Sequence, residues 1–171
     1  MALAVTHVLI TIVVLDLLRH YVFGKKHFPR YLIVVGGVAG LAPDFDIVIS
    51  WIVSFFSSGN VDLHGVFSHS LTFVLLFGLI GIIFSSDYVF KHKADRRKWS
   101  SIFFVIAFGW TMHLFLDCLY GGYKSFLWPL QIATNFCPQW GVQDHAASID
   151  AILLILWIVH EEMHGYVRDW F

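Results

Sequence analysis

Charged side chains are scarce in this sequence. Only 13% of its 171 residues are Asp, Glu, Lys or Arg, whereas 58% are hydrophobic and 18% are aromatic. A soluble domain carries about 25% charged residues, so the composition argues against a soluble protein. The formal net charge is −1, and proteins that bind nucleic acid carry basic surfaces. We therefore expect no nucleic-acid partner.

Cysteine is also scarce. Cys118 and Cys137 are the only two, and they form no CxxC pattern. They could form one disulfide or lie as ordinary apolar residues, and two cysteines do not indicate a cellular compartment. The first apolar run has no basic segment before it and no small-residue cleavage site after it, so we interpret it as a retained helix rather than a signal peptide.

Long apolar segments fill most of the chain. A membrane-spanning helix needs about 20 apolar residues, and the length allows about five such helices. The sequence therefore predicts an all-α, polytopic integral membrane protein that forms a single domain over residues 1–171, with a long loop at about 120–147. The predicted helices are Ala2–Phe23, Tyr31–Phe56, a segment from about His69 to Phe84, Trp99–Leu119 and Ser148–Val167.

The second predicted helix contains a proline near its middle. Pro43 cannot donate a backbone hydrogen bond and disfavours helical backbone at Ala42, so this helix should break there. The small residues of Gly36–Gly40 come just before the break and would let neighbouring helices approach closely. Asp44 and Asp46 follow the break, and carboxylates at membrane depth are costly unless a cation lies near them.

Two short loops hold most of the basic residues. Lys25–Arg30 and Lys91–Lys98 are separated by an even number of predicted spans, so they lie on the same side, and basic loops remain in the cytoplasm. This places the N-terminus outside the inner membrane and the C-terminus in the cytoplasm. Ser68 is the predicted N-cap of the third helix. Asp16, Arg19 and His20 are predicted to form an ion-pair group at the inner end of the first.

With this topology, seven residues that can bind metals converge near the outer interface. His113 and Asp117 are four residues apart, so a helix places them on one face. The mixed nitrogen and oxygen set favours zinc, with manganese or iron as alternatives, as one or two ions. The predicted ligands are His7, Asp44, Asp46, His64, His69, His113 and Asp117.

A metal site of this kind predicts a metal-dependent hydrolase in which a metal-activated water attacks a phosphoester. Whichever of Asp44, Asp46 and Asp117 is not a ligand is the expected catalytic base. A site at interface depth suits a lipid or another amphiphile as substrate. The alternatives are a metal transporter or sensor, a purely structural polar network, and a zinc protease that uses His160 and His164 of an HExxH match.

Three motifs together resemble those of the YdjM-like family. They are Pro43-Asp-Phe-Asp46, His64-Gly-Val-Phe-Ser-His69-Ser70, and His113-x-x-x-Asp117 followed by Leu127-Trp-Pro129. Members of that family are described as LexA-regulated, inner-membrane-associated proteins with a predicted metal-dependent hydrolase activity. The resemblance implies that the same seven residues form the site.

The sequence departs from the YdjM-like pattern near the motifs. Gly65 stands where the family usually has arginine, which removes a natural phosphate-binding cation. Tyr120 and Tyr123 stand where threonine and glycine are often found. These changes leave the predicted ligands intact but alter the surroundings of the substrate.

Overall fold

The computed structural model describes residues 4–57, 59–65, 67–120, 126–130, 137 and 142–163. These residues confirm the predicted all-α fold, and α1 continues as a π-helical turn, Arg19–Phe23. The helices are α1 Ala4–Leu18, α2 Arg30–Leu41, α3 Phe45–Phe56, α4 Leu71–Ser85, α5 Lys93–Leu119 and α6 Ala146–Met163.

Three of the described helical segments have the length and apolar character to cross a membrane: Ala4–Phe23, Arg30–Phe56 and Lys93–Leu119. α4 is apolar but has only 15 residues, which span about 22 Å, less than the roughly 30 Å of the hydrocarbon core. α6 is longer but contains three acidic residues. The structure thus supports an all-α membrane protein, and the number of five spans stays a prediction.

The predicted break at Pro43 is confirmed. α2 ends at Leu41, a three-ten turn covers Ala42–Asp44, and α3 begins at Phe45. The missing N–H of proline interrupts the regular hydrogen-bond ladder of the helix. As a result, Asp44 lies in the turn itself, whereas Asp46 lies in the first turn of α3.

Glycines bring α1, α2 and α5 into close contact. A Cβ atom added to Gly109 would lie 2.6 Å from the Gly36 carbonyl oxygen, and one added to Gly40 would lie 3.0 Å from the His7 carbonyl oxygen. The backbones therefore touch where side chains would separate them, as predicted from the small residues before Pro43. This contact places His7, the break and His113 at the same level.

The other end of these helices has an apolar core and then an ion-pair group. Leu15, Ile33 and Val105 belong to a buried cluster below the glycine contacts. Beyond it, Asp16 lies 3.6 Å from Arg19 Nη1 and 3.2 Å from His20 Nδ1. The predicted group at the end of the first helix is thus confirmed.

Of the two states left open for the cysteines, the structure has the disulfide, with the Cα atoms of Cys118 and Cys137 4.8 Å apart. It fixes Cys137 to the end of α5, next to Asp117. Residues 126–130 pack over the start of α4, where the Leu71 N–H donates to the Phe126 carbonyl at 2.9 Å. Part of the long predicted loop therefore folds over the helices.

Replacing both cysteines with alanine is expected to lower the free energy of unfolding by about 2–4 kcal/mol, because the disulfide restricts the unfolded chain. Thermal melting in detergent would measure the change. A reductant should lower the melting temperature of the native protein by a similar amount and leave that of the double variant unchanged. Equal melting temperatures for native and variant protein would contradict this expectation.

Candidate metal centre

His113 lies on α5 opposite the break in the second membrane segment. Its side chain is completely buried, and its Nδ1 lies 2.8 Å from the Gly40 carbonyl oxygen. Because a carbonyl can only accept, Nδ1 carries the hydrogen, and Nε2 keeps its lone pair. A histidine that ligates a metal typically has its other ring nitrogen held in this way.

His69 comes just before α4 and is also completely buried. Its Nδ1 lies 3.3 Å from Asp46 Oδ2 and 3.0 Å from Ser68 Oγ. Its Nε2 lies 3.1 Å from His113 Nε2. With both Nδ1 atoms donating outward, two lone pairs face each other. Only a positive species between them, either a proton or a metal cation, makes this contact favourable.

Two carboxylates complete this group of donor atoms. Asp44 Oδ1 lies 3.3 Å from His69 Nε2 and 3.5 Å from His113 Nε2. Asp117 Oδ2 lies 3.5 Å and 3.6 Å from the same two nitrogens. Donor atoms 2.0–2.1 Å from a tetrahedral zinc ion are separated by about 3.3–3.4 Å. Five of the six donor separations among these four residues are close to this value, as binding of one such ion requires. We call the four residues the inner set.

His7 extends the cluster toward α1. Its side chain is 1% exposed, and neither ring nitrogen has a hydrogen-bond partner among the described residues. Its Nε2 lies 3.5 Å from Asp117 Oδ1, and its ring stacks on His113 with centroids 3.9 Å apart. Burying an imidazole without partners is costly. Asp117 faces the inner histidines with Oδ2 and His7 with Oδ1, so His7 could serve as a further ligand beside it.

Asp46 lies on the Nδ1 side of His69, whereas the inner set lies on its Nε2 side. One oxygen is 2.8 Å from His64 Nδ1, and the other accepts the Gly65 N–H at 2.9 Å and the Ser68 hydroxyl. The three groups of possible metal ligands in the described residues do not include Asp46. Its position is that of an outer carboxylate that orients a ligating histidine.

His64 lies in the loop before α4 at the open side of the cluster. It forms a possible ligand group with Asp44 and His69. Its side chain is 16% exposed, and that of Asp44 is 20% exposed, whereas the other members of the inner set are at most 2% exposed. Solvent can therefore approach the cluster from the side of Asp44 and His64.

The family model described as YdjM inner membrane protein matches residues 1–167. The chain belongs to this family. The earlier resemblance is thus confirmed, and it extends over nearly the whole chain. The family description and the apolar helices locate the protein in the inner membrane. No curated protein and no solved structure matches the chain.

Ser68, which lies in one of the YdjM motifs, makes contacts that the sequence did not predict. Ser68 was predicted as an N-cap, and this was wrong: α4 starts at Leu71 after Ser70. The Ser68 hydroxyl instead donates to Asp46, while its carbonyl accepts the Trp110 indole N–H at 2.8 Å. The position of Ser68 next to His69 in the motif was the available signal.

Asp150 is a second residue that the prediction missed. It lies on α6, is 7% exposed, and accepts a hydrogen bond from the Thr6 hydroxyl. Because Thr6 comes directly before His7 in the chain, this hydrogen bond places Asp150 near the metal centre. No motif contains Asp150, so only tertiary structure brings it here.

The HExxH match lies at the other end of the molecule. His160 is on the last turns of α6 and its side chain is 47% exposed, while His164 lies outside the described residues. Among the described residues, no group of possible metal ligands includes His160. The protease alternative thus has no support from the described residues.

Changing Asp46 to asparagine is expected to weaken zinc binding by about 10–100-fold without abolishing it, which is the usual effect of losing an outer-shell partner. The amide would lose the charge that holds His69 and His64. Competition with a chromophoric chelator would measure the affinity. Asp95→Asn, in the exposed first turn of α5, is the matched control and should change nothing. Complete loss of zinc in Asp46→Asn would make Asp46 a direct ligand instead.

Proposed function

We propose that this protein is a membrane-embedded, metal-dependent hydrolase that cleaves a phosphoester in a lipid or another amphiphile. The observation that carries the proposal is the inner set, whose two nitrogens lie 3.1 Å apart and 3.3–3.6 Å from the two carboxylates. Zinc suits such a nitrogen and oxygen set. When bound, a divalent metal would acidify a water molecule and neutralise phosphoryl oxygens.

The chain's own residues divide the remaining tasks. His69, His113 and Asp117 are buried and would hold the metal, with His7 beside Asp117 available for a second ion. Asp46 would keep His69 in position, since donors already occupy both its oxygens. Asp44 is the most exposed carboxylate of the inner set. We therefore assign Asp44 two roles: Oδ1, which approaches both inner nitrogens, would help to hold the metal, and the other carboxylate oxygen would accept the proton from the attacking water.

A cavity of about 300 Å³ beside His64 suits an amphiphilic substrate. Ser50, Ser54 and Asn60 supply polar groups there, while the exposed Trp51 side chain supplies an apolar surface. A polar head could reach Asp44 and His64 while an apolar tail stays in the lipid. This arrangement supports a lipid-like substrate over a fully soluble one.

The proposal places the site toward the outer face, with the N-terminus outside and the C-terminus in the cytoplasm. The basic loops support this orientation. The Cys118–Cys137 disulfide supports it independently, because it lies next to Asp117 and disulfides persist on oxidising sides of membranes.

This orientation predicts that a membrane-impermeant thiol reagent labels the two cysteines in intact cells after mild reduction. Labelling should be absent without reduction and absent in the double alanine variant. If labelling needed permeabilised cells, the site would face the cytoplasm and the topology would be inverted.

A transporter is less well supported than an enzyme. It would need polar groups that continue from the cluster toward the inner face. In the described residues, the helices on the inner side of the glycine contacts pack through a buried apolar cluster that includes Leu15, Ile33 and Val105. The cluster offers no ligand to an ion, so it favours a site that opens on one side.

The test measures whether purified protein in detergent micelles hydrolyses any of three substrates: phosphatidic acid, phosphatidylglycerol and soluble p-nitrophenyl phosphate. We expect turnover of a lipid substrate that a chelator abolishes and zinc restores. Asp44→Asn should lose activity, while Asp95→Asn should retain it. No turnover of any of the three by zinc-loaded protein would contradict the phosphoesterase proposal, even if zinc is bound.

A further inference from the structure

One face of α5 changes from basic to apolar along its first four turns. Lys93, Arg97, Ser101, Val105 and Phe108 follow at spacings of three or four residues, so they share this face. The helix rises 1.5 Å per residue, so Arg97 and Phe108 are about 16 Å apart along its axis. That distance is close to half of the roughly 30 Å hydrocarbon core.

Two adjoining cavities lie along this face. A polar cavity of about 360 Å³ is lined by Lys93, Arg97 and the hydroxyl-bearing Ser100 and Ser101, among others. An apolar cavity of about 410 Å³ lies between α1 and α5. Arg97, Ser101 and Phe104 line both cavities. A single ligand with a polar head and an apolar tail could therefore occupy the two together.

The polar cavity has unbalanced positive charge. Arg96 pairs with Asp87, but no carboxylate in the described residues lies within ion-pair distance of Lys93 or Arg97. Residues 87–98 contain five basic and two acidic side chains, with Asp95 as the other acid. The polar cavity is also at the N-terminal end of a 27-residue helix, where the helix dipole favours an anion.

We propose that these cavities bind an anionic phospholipid of the inner membrane, in the leaflet that contains the basic end of α5. The head-group phosphate would contact Lys93, Arg97 and the serine hydroxyls, and an acyl chain would lie along Phe104 and Phe108. Basic pockets between membrane helices are known to hold anionic head groups. The apolar cavity argues for a lipid rather than a free phosphate, which would leave it unused.

This lipid site is separate from the metal centre. His113 is 16 residues beyond Arg97 on the same helix, which corresponds to about 24 Å. The site therefore does not depend on the proposed hydrolase activity.

The experiment measures retention of phosphatidylglycerol and phosphatidylcholine by native mass spectrometry of the purified full-length protein. Native protein should retain phosphatidylglycerol preferentially. Arg97→Gln and Lys93→Gln should each weaken its retention about fivefold, as expected for one basic residue at a membrane surface. Lys98→Gln is the matched control, because Lys98 lies over the Trp99 ring and does not line either cavity. Lys98→Gln should weaken retention less than Arg97→Gln or Lys93→Gln does, because it removes no contact with the head group.

Two further arms separate the possible outcomes. Phe104→Ala should weaken phosphatidylglycerol retention without removing charge, and millimolar inorganic phosphate should not compete. If Arg97→Gln, Lys93→Gln and Lys98→Gln weakened phosphatidylglycerol retention equally, the lipid would be held by a diffuse surface potential, and the proposed site would be overturned. Competition by phosphate, with no effect of Phe104→Ala, would mean a free-anion site. Thermal melting of each variant in lipid-free detergent would show that it remains folded.

Discussion

Replacing His113 with alanine is expected to lower zinc affinity by more than about a hundredfold, beyond the 10–100-fold loss typical of an outer-shell change. The imidazole is completely buried, and its Nε2 is within 3.1–3.6 Å of three other donor atoms. Alanine would remove one of the four donors. Hydrolysis should fall with zinc occupancy.

Asp44→Ala should give the same loss, because Asp44 Oδ1 approaches both inner nitrogens. His92→Ala is the matched control, since this exposed histidine comes before α5 without a side-chain capping bond. Chelator competition would give all the affinities. If His113→Ala bound zinc as tightly as native protein, His113 would not be a ligand and the inner set would be a hydrogen-bonded network.

Changing Gly109 to alanine is expected to destabilise the protein by at least about 3 kcal/mol, the upper end of the usual cost of overpacking. The added Cβ would lie 2.6 Å from the Gly36 carbonyl oxygen and 2.9 Å from the Gly40 backbone nitrogen. Backbone atoms cannot rotate away as a flexible side chain can, so α2 and α5 would have to separate. The separation would also weaken the bond between His113 Nδ1 and the Gly40 carbonyl, so zinc affinity should fall as well.

Gly78→Ala is a control for which we expect the stability to change in the opposite direction. A Cβ at Gly78 would meet nothing within 4 Å, and alanine favours helix by about 1 kcal/mol over glycine. We therefore expect Gly78→Ala to raise the melting temperature slightly and leave zinc affinity unchanged. Melting curves in detergent with and without zinc would compare the two variants. A Gly109→Ala protein that melts and binds zinc like the native protein would refute the close contact of α2 and α5.

Local physical rules made part of the site predictable. Pro43 interrupts a helix whatever the surrounding tertiary structure, and a four-residue spacing places His113 and Asp117 on one face of a helix. The expectation that both basic loops lie on one side of the membrane rests on Lys and Arg alone. Together these rules predict that five of the site residues lie at one level: His7, Asp44, His69, His113 and Asp117.

Other features depend on how the helices rotate and pack, which the motifs do not encode. The sequence could not separate Asp44 from Asp46, although one faces the inner histidines and the other holds His69 from behind. The sequence could not predict that the Gly40 carbonyl binds His113, because every residue has a backbone carbonyl and no side chain marks this one. Gly65, a departure from the family pattern, has a φ of +75°, which favours glycine, and its N–H binds Asp46.

The most direct test of the metal centre is elemental analysis of the purified native protein, with the zinc, manganese and iron content expressed per chain. We expect about one or two equivalents of a divalent transition metal, as one or two ions would require, and loss of that metal in both His113→Ala and Asp44→Ala. No bound metal, even after reconstitution with each ion, would contradict the metal centre. The positive charge between His69 and His113 would then be a shared proton, and the cluster would be a polar contact between helices.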